Sequence, residues 1–396
     1  MLMAGGVHGN LNFDENNKKI VYGNTEMIEM RYCTKCLMPS TRPRIQYNEE
    51  GVCNACQWAE EKKNIDWGPR WEQLVTLCDK YRARNNGRFD VIVPYSGGKN
   101  GAYIAYTLKH KLGMNPLSVT IRPPMEDPIG LQNIKNFQDR GYDHLFITPN
   151  RLVERKIDKE NFINKGIPMH AFMIAVQTAI MRTAVNFDIP FVMYAEEGET
   201  EYGGSSKLKN SPTYSVEDGI KLYLSGVDPA KYKSQFDEGS LYWFLYPPQD
   251  EIQKLKPEIC HWSYFEDFVN YNHYIVAKEK LGLLERAERN IGAIENFSAT
   301  DTNLIHLYFY LMYLKFGFGR TTSEIGNEIR RGAMSRAQAV NITKKFDGEF
   351  PAKHVDSYLE YYGMTLGEFN AVLDKWANKD LFEKRDGRWM PRFSIS

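Results

Sequence analysis

The chain has 396 residues, of which 42% are hydrophobic and 25% charged, and its formal net charge is +0. These values are typical of a globular protein with two or three domains, and they exclude a largely disordered chain. The balanced charge gives no strongly basic surface for nucleic acid. The chain has no run of about 18 apolar residues and no signal-peptide pattern. We therefore expect a cytoplasmic protein that binds neither membrane nor nucleic acid.

The N-terminal part is predicted to be a short lead followed by a metal-binding module. Residues 1–28 are rich in Asn and Gly, and we expect a flexible lead or a short β-hairpin there. Residues 29–66 contain two C-x2-C pairs, formed by Cys33, Cys36, Cys53 and Cys56. Thiolates spaced in this way converge on one ion, so we predict a zinc-ribbon module with a structural Zn²⁺. A disulfide framework and an iron–sulfur cluster remain alternatives.

The most informative segment is a glycine-rich turn between a strand and a helix. Residues 89–94 (FDVIVP) predict a buried parallel strand, and residues 102–112 predict a helix. Glycines let the backbone approach a phosphate, and the N–H groups of the first helical turn point at it. Lys99 adds a positive charge. We predict a nucleotide site, although a plain strand-to-helix turn is the alternative. Its binding residues would be Tyr95, Ser96, Gly97, Gly98, Lys99 and Asn100.

This turn resembles the SGGKDS-type PP-loop of ATP pyrophosphatases, which cleave ATP between the α- and β-phosphates. Asn100 stands where Asp is usual, and Gly101 stands where Ser is usual. The asparagine keeps a side-chain oxygen but loses the charge, which puts direct metal ligation at this position in doubt. The turn has the spacing of neither the Walker A loop nor the G-x-G-x-x-G loop.

Residues 67–204 are predicted to form the α/β domain around this loop. Further strands are expected at residues 117–121, 145–147 and 191–194, alternating with helices, which predicts a doubly wound parallel sheet. In such sheets ligands bind at the carboxyl ends of the strands. Thr120 lies at such an end, so we expect it to contact the nucleotide.

An acidic segment follows the strand at residues 191–194. Carboxylates at a strand end that faces a triphosphate commonly hold Mg²⁺, which neutralises the leaving pyrophosphate. We therefore predict catalytic roles for Glu196 and Glu199, beside Lys99 in the loop. A solvated acidic loop is the alternative.

The second half of the chain is predicted to be an insertion followed by helices. Residues 205–260 have a broken pattern, which indicates either a lid over the site or a surface excursion. Residues 261–396 are mostly helical. Arg320 precedes a predicted helix and would form an anion site with the helix N-terminus. Arg330, Arg331 and Arg336 are expected on solvated helix faces.

Several segments together resemble the N-acetyl sugar amidotransferase family, the PP-loop enzymes of lipopolysaccharide and pseudaminic-acid pathways. The matching stretches are CTKC, CNAC, PYSGGKNG, AEEGETEYGG and residues 301–339. The resemblance implies a PP-loop ATPase fold of the HUP-like type. It also implies that the acidic motif carries Glu196 and Glu199 and that a KFGFGR element ends at Arg320.

The resemblance further implies conversion of an acetamido group to an acetamidino group on a nucleotide-activated N-acetyl sugar. The amide oxygen is a poor leaving group, and adenylylation by ATP with Mg²⁺ would let ammonia displace it. Position 2 is Leu, where an N-terminal-nucleophile glutaminase has Cys. Neither Cys78 nor Cys260 lies between glycines, as the nucleophile of a triad glutaminase does. We therefore expect a separate glutaminase subunit that delivers ammonia through a dry channel.

Two competing interpretations belong to other functional classes. A PP-loop tRNA-thiolating enzyme would need a sulfur-handling cysteine and a basic face for RNA. Only Cys78 and Cys260 lie outside the two pairs, and both are expected to be buried. A non-catalytic zinc-ribbon adaptor would leave the nucleotide loop without a purpose.

Overall fold

The computed structural model describes residues 19–22, 25–28, 30–85, 88–195 and 198–396. Strands β1 (Lys19–Tyr22) and β2 (Thr25–Ile28) pair in antiparallel fashion, so this part of the predicted lead is a β-hairpin. The cysteine-rich segment that follows is held by two isolated bridges, Tyr32 to Pro39 and Tyr47 to Cys53. Two helices complete the N-terminal region, namely α1 (Asn54–Lys62) and α2 (Trp67–Asn85).

The central sheet has five parallel strands, which confirms the predicted α/β class. They are β3 (Val91–Pro94), β4 (Pro116–Ile121), β5 (His144–Ile147), β6 (Phe191–Tyr194) and β7 (Glu258–His261). The order across the sheet is β5-β4-β3-β6-β7. The chain therefore winds in one direction from β3 to β5 and in the other from β6 to β7, which places a switch point between β3 and β6.

Four helices connect the first four strands of the sheet. They are α3 (Lys99–His110), α4 (Pro128–Gln138), α5 (Arg151–Lys165) and α6 (His170–Phe187). Gly166, at φ +60°, ends α5, and Asn150 caps its start by accepting from the backbone N–H groups of Leu152 and Val153. Helix α3 overlaps the helix predicted at residues 102–112, whereas α5 is not among the predicted helices.

The segment predicted as an insertion forms short helices and then rejoins the sheet. It follows α7 (Gly198–Tyr202) and contains α8 (Val216–Tyr223) and α9 (Gln249–Leu255), with 3-10 turns at Pro229–Ser234 and Tyr242–Phe244. It packs on α6, where Arg182 Nε donates to the carbonyl of Leu245 at 2.7 Å. Its last residues belong to β7, which the sequence analysis does not predict as a strand.

The C-terminal region is helical and ends in a second hairpin. It comprises a 3-10 turn at Trp262–Tyr264, α10 (Asn270–Leu281), α11 (Ile305–Phe316), α12 (Arg320–Arg330), α13 (Arg336–Phe346), a 3-10 turn at Ala352–His354, α14 (Val355–Tyr362), α15 (Leu366–Trp376), β8 (Phe382–Arg385) and β9 (Arg388–Pro391). Among the described residues, no helix is both long and apolar enough to cross a membrane.

Two hydrophobic cores hold the sheet between layers of helices. Val91 and Val93 of β3 pack in one core with side chains of α2, α3 and α10. Ile92, between them, packs in the other core with α5 and α6. This alternation follows from the two-residue repeat of a strand. Because both faces of β3 are covered, the loop at its carboxyl end has a rigid support.

Candidate functional site

A large cleft lies at the carboxyl ends of β3 and β6, at the switch point of the sheet. It contains about 1440 Å³ of space, solvent at its mouth included. Its polar lining includes Ser96, Lys99 and Arg320, and apolar side chains also line it. The insertion contributes the aromatic residues Tyr214 and Tyr223. The cleft lining, which combines apolar side chains with a few polar groups, is typical of a small-molecule site.

The turn after β3 adopts a conformation that requires glycine. Gly97 has a φ of +85°, and a Cβ atom there would lie 2.6 Å from the carbonyl oxygen of Gly130. Gly98 caps α3, whose first turn faces the cleft. The first N–H groups of a helix have no partners within the helix. The structure therefore brings together the predicted loop residues around one glycine turn at the start of α3: Tyr95, Ser96, Gly98, Lys99 and Asn100 line the cleft, and Gly97 shapes the turn.

Lys99 is held at the floor of the cleft by a segment far along the chain. Its side chain is buried, and its Nζ atom donates to Ser298 Oγ at 2.6 Å. Glu295 lies 4.0 Å from the same Nζ atom and accepts a hydrogen bond from Ser298. The ammonium group is thus positioned beside the loop before any ligand arrives, which is the arrangement that charge stabilisation requires.

Asn100, which replaces the usual Asp, is part of an amide network with α10. Its Nδ2 atom donates to Asn270 Oδ1 at 3.2 Å, and its Oδ1 atom lies 3.1 Å from His273 Nδ1. His273 stacks on Tyr103, with 4.0 Å between ring centroids, and its Nε2 atom lies 3.4 Å from Glu266. Asn100 therefore joins the loop to α10.

The structure corrects the prediction for Thr120, which does not line the cleft. Its neighbours Val119 and Ile121 do, because successive residues of a strand point to opposite faces. Thr120 Oγ1 donates to the carbonyl of Tyr95 and lies 2.8 Å from His144 Nε2. Its hydroxyl group therefore supports the loop from behind and has no access to a nucleotide.

The described carboxylates of the acidic segment do not face the cleft, where the sequence analysis places them. Glu199 is fully buried, and its carboxylate accepts two hydrogen bonds from Arg44, at 2.6 and 2.7 Å. Glu201 accepts from Trp58 Nε1 at 2.9 Å and pairs with Lys62 at 3.2 Å. Both carboxylates thus join α7 to the N-terminal module instead of facing the cleft, which corrects the catalytic role predicted for Glu199. Glu196 lies outside the described residues.

Arg320 lines the cleft, as predicted, and is nearly buried. Its Nε atom donates to Glu324 Oε1 at 2.6 Å. Glu324 Oε2 accepts from the backbone N–H groups of Ile294 at 2.8 Å and Glu295 at 3.1 Å. Burial, together with the nearby carboxylate of Glu295, raises the pKa of Glu324 to about 7.

The predicted anion site at the start of α12 is filled by the protein itself. Arg320 is the first residue of the helix, and its predecessor, Gly319, donates its N–H to Asp347 at 2.8 Å. Thr322 donates its hydroxyl to the same carboxylate at 2.6 Å. The carboxylate of Asp347 thus occupies the position that the helix N-terminus offers to an anion.

The four predicted cysteine ligands converge. Their sulfur atoms are buried and lie within 4.8 Å of one another. Cys36 and Cys53 are separated by 3.5 Å and Cys33 and Cys56 by 4.0 Å, whereas a tetrahedral zinc site needs about 3.8 Å. All six cysteines of the chain are free, so the disulfide alternative is wrong. The sulfur positions fit one tetrahedral metal ion.

Arg330 lies against this cluster, which corrects its predicted place on a solvated helix face. Burial opposes its charged form, but the thiolates of Cys36 and Cys56 raise the pKa of Arg330. Its Nη2 atom also donates to Asn327 Oδ1 at 2.6 Å. Because Arg320 begins α12 and Arg330 ends it, this helix extends from the cleft to the cysteine cluster.

Some cleft residues have no signal in the sequence. Ser298 and Asp301 belong to a loop before α11, and burial raises the pKa of Asp301. Gln177 lies within a helix that reads as core, and His261 ends the unpredicted strand β7. These residues reach the site only through tertiary packing. A prediction of β7 as a strand beside β6 would have pointed to His261.

The fold and the cleft together define an α/β protein with a glycine-rich loop at the switch point of its parallel sheet, a four-cysteine module and a helical C-terminal region. Residues 291–393 match the family model described as "LPS biosynthesis protein WbpG-like, C-terminal domain". This match supports the resemblance to the sugar amidotransferase family that the motifs carry. The matched region includes Ser298 and Arg320, which line the cleft, and Glu295, which lies 4.0 Å from the Nζ atom of Lys99.

Two solved structures are similar to this chain at low identity. One is an NMN synthetase from Francisella tularensis, with 11% identity and a TM-score of 0.34, over 77% of this chain and 97% of that chain. The other is described as a predicted subunit of tRNA methyltransferase from Methanocaldococcus jannaschii. It has 17% identity and a TM-score of 0.27, over 48% of this chain and 75% of that chain. The comparison with curated proteins finds no match.

Proposed function

We propose that the protein is an ATP-dependent amidotransferase of lipopolysaccharide or flagellin-glycan synthesis. It would convert the acetamido group of a nucleotide-activated N-acetyl sugar to an acetamidino group. The observation that carries this proposal is that the loop lysine, Lys99, is bound to Ser298, which lies in the region matching the lipopolysaccharide family. The predicted nucleotide loop and the region matched by the family model thus line one cleft.

The reaction uses ATP to activate a poor leaving group. The acetamido oxygen attacks the α-phosphorus, the bond to the β-phosphate oxygen breaks, and pyrophosphate leaves. Ammonia then adds to the activated carbon, loses a proton, and AMP departs with the former amide oxygen. Lys99, Arg320 and the N–H groups that begin α3 would stabilise the charge on the phosphates.

Bound Mg²⁺ would neutralise part of the triphosphate charge. Among the described residues that line the cleft, Asp301 is the one with a carboxylate. Carboxylate oxygens are the protein ligands that Mg²⁺ prefers, so Asp301 takes the part that the sequence analysis gives to Glu199. In the N-terminal module, Zn²⁺ is the ion that four buried thiolates at these separations suit best.

The source of ammonia is proposed to be a separate glutaminase subunit. The two cysteines outside the cluster do not have the character of nucleophiles. Burial raises the pKa of the Cys78 thiol to about 12, and it also raises the pKa of Cys260. Reactive cysteines need a stabilised thiolate. The same property weighs against a sulfur-transfer role in tRNA modification.

The test is to incubate the purified chain with ATP, Mg²⁺, ammonium and nucleotide-linked N-acetyl sugars, and to analyse the products by mass spectrometry. The expected result is a sugar in which NH replaces one oxygen, with AMP and pyrophosphate in equal amounts. Glutamine should replace ammonium only when the partner subunit is added. Release of ADP, or efficient use of glutamine by the chain alone, would contradict the proposal.

A further inference from the structure

A group of aromatic and polar side chains lines the cleft at the carboxyl ends of β6 and β7. Tyr194 and His261 end the neighbouring strands β6 and β7 and are aligned across the sheet. Tyr214 stacks on His261 with 4.5 Å between ring centroids, and Tyr223 meets Tyr214 edge-on at 5.7 Å. All four side chains line the cleft. Three of these residues are tyrosines and one is a histidine, and the acidic and basic side chains that line the cleft among the described residues are Lys99, Asp301 and Arg320.

The insertion contributes Tyr214 and Tyr223 to this part of the cleft. Tyr214 donates its backbone N–H to the carbonyl of Ile259 at 3.2 Å, and His261 donates to the carbonyl of Pro212 at 3.0 Å. Thr213 forms a bridge with Cys260 of β7. The start of the insertion is therefore fixed along the edge strand, and its tyrosines are placed over the cleft by the sheet itself.

Gln177 of α6 provides a buried hydrogen-bond donor at the same place. Its side chain is 5% exposed and lines the cleft. Its Oε1 atom accepts from the hydroxyl of Tyr214 at 3.3 Å, which sets the orientation of the amide. Its Nε2 atom is buried and has no hydrogen-bond partner. A buried amide N–H group without a partner is costly, so an oxygen of a ligand is the expected complement.

We propose that Gln177, Tyr214 and Tyr223 form the acceptor subsite and that it binds a neutral N-acetylated sugar ring. Tyrosine rings offer flat apolar faces with a polar edge, and the amide donates to a hydroxyl or carbonyl oxygen of the ring. An acceptor recognised through a carboxylate or an ammonium group would call for an opposite charge here. This inference rests on the proposed function, because it places the acceptor of that reaction.

The experiment is saturation-transfer NMR on the full chain with N-acetylglucosamine and UDP-N-acetylglucosamine as probes. Wild type should transfer saturation to the sugar-ring protons of both probes. Gln177→Glu, which replaces the donor with an acceptor, should weaken binding at least about tenfold. The matched control is Gln132→Glu on the exposed side of α4, which should bind as wild type does.

A second variant, Tyr214→Phe, keeps the ring and removes the hydroxyl that orients Gln177, so it should weaken binding by a smaller factor. A thermal melt identifies any variant that fails to fold. The proposal is overturned if neither probe binds wild type or if both Gln177→Glu and Tyr214→Phe bind them as wild type does. Failure of the amidotransferase reaction is a distinct outcome, because it is read from turnover while the NMR experiment reads sugar binding alone.

Discussion

The cleft and the contact between α7 and the N-terminal module both contain buried polar groups, but they use them in opposite ways. In the contact, each described carboxylate of α7 has a cationic partner, as in the double hydrogen bond between Glu199 and Arg44. In the cleft, the amide Nε2 of Gln177 has no protein partner. Satisfied groups stabilise a fold, whereas an unsatisfied donor in a cavity is available to a ligand. On our proposal, the described carboxylates of α7 belong to the architecture, and the aromatic residues around Gln177 belong to recognition.

The largest effect is expected from disrupting the cysteine cluster. Cys53→Ser should reduce bound zinc from about one ion per chain to none, because a structural site needs all four thiolates. It should also lower the melting temperature and loosen the contact with α7, since metal binding and folding of such modules are coupled. Metal analysis and thermal melts measure both. The control is Cys78→Ser, in the core beside the sheet, which should bind zinc as wild type does. Zinc retained by Cys53→Ser would contradict the prediction.

The next effect concerns the floor of the cleft. Lys99→Gln should reduce turnover about 100-fold or more, because it removes a preorganised charge from the phosphate site. The fold should persist, since Gln can still hydrogen-bond to Ser298. Steady-state release of pyrophosphate gives the measurement. Lys111→Gln, just beyond the far end of α3 and exposed, should retain wild-type turnover. Equal turnover in the two variants would remove Lys99 from the mechanism.

Substitutions of Glu199, in the contact with the N-terminal module, and of Asp301, in the cleft, compare the two carboxylates directly. Glu199→Gln should lower the free energy of unfolding by about 2 kcal/mol, because it breaks the charged pair with Arg44. In this pair Glu199 is buried, whereas Arg44 is partly exposed to solvent. The dependence of this variant on Mg²⁺ should stay that of wild type. Asp301→Asn should show the reverse, a weaker response to Mg²⁺ without loss of stability. Chemical denaturation and magnesium titrations of turnover give the two readouts, and exchanged phenotypes would restore the catalytic assignment of Glu199.

The smallest effect is a pH dependence at Glu324. Its folded-state pKa, about 7, lies above that of an ordinary glutamate, so the folded protein holds a proton that the unfolded chain has released. The free energy of unfolding therefore falls as pH rises from about 4.5 to about 7 and changes no further above that. Glu324→Gln should remove this component. The melting temperatures of wild type and variant should thus converge or cross between pH 5 and pH 7.5. A difference in melting temperature that stays constant over this range would contradict the prediction.

Local sequence pattern was enough to predict the loop, the sheet strands β3 to β6 and the cysteine cluster. The residues of the loop are adjacent in the chain, and FDVIVP followed by glycines specifies strand and turn without help from distant segments. The two cysteine pairs have a spacing that only a few structures use. Each of these features is marked by a short stretch of sequence, which is why the sequence alone reveals them.

The remainder depends on contacts between distant residues. Glu199 and Arg44 are 155 positions apart, so nothing near Glu199 distinguishes a structural carboxylate from a magnesium ligand. Strand β7 (EICH) has two polar residues among four and becomes a strand because β6 offers it an edge. Thr120 lies in a strand that is buried on both faces. Such strands do not alternate apolar with polar residues, so the sequence does not show which side chains face the cleft.

The most direct test of the account follows the acceptor's amide oxygen. The acetamido carbonyl is labelled with a heavy oxygen isotope, and the AMP formed with ATP and ammonium is analysed by mass spectrometry. If the cleft activates the acceptor by adenylylation, AMP carries the label and pyrophosphate does not. Unlabelled AMP, or label recovered in inorganic phosphate beside ADP, would show that the amide oxygen never attacks the α-phosphorus and would contradict the account.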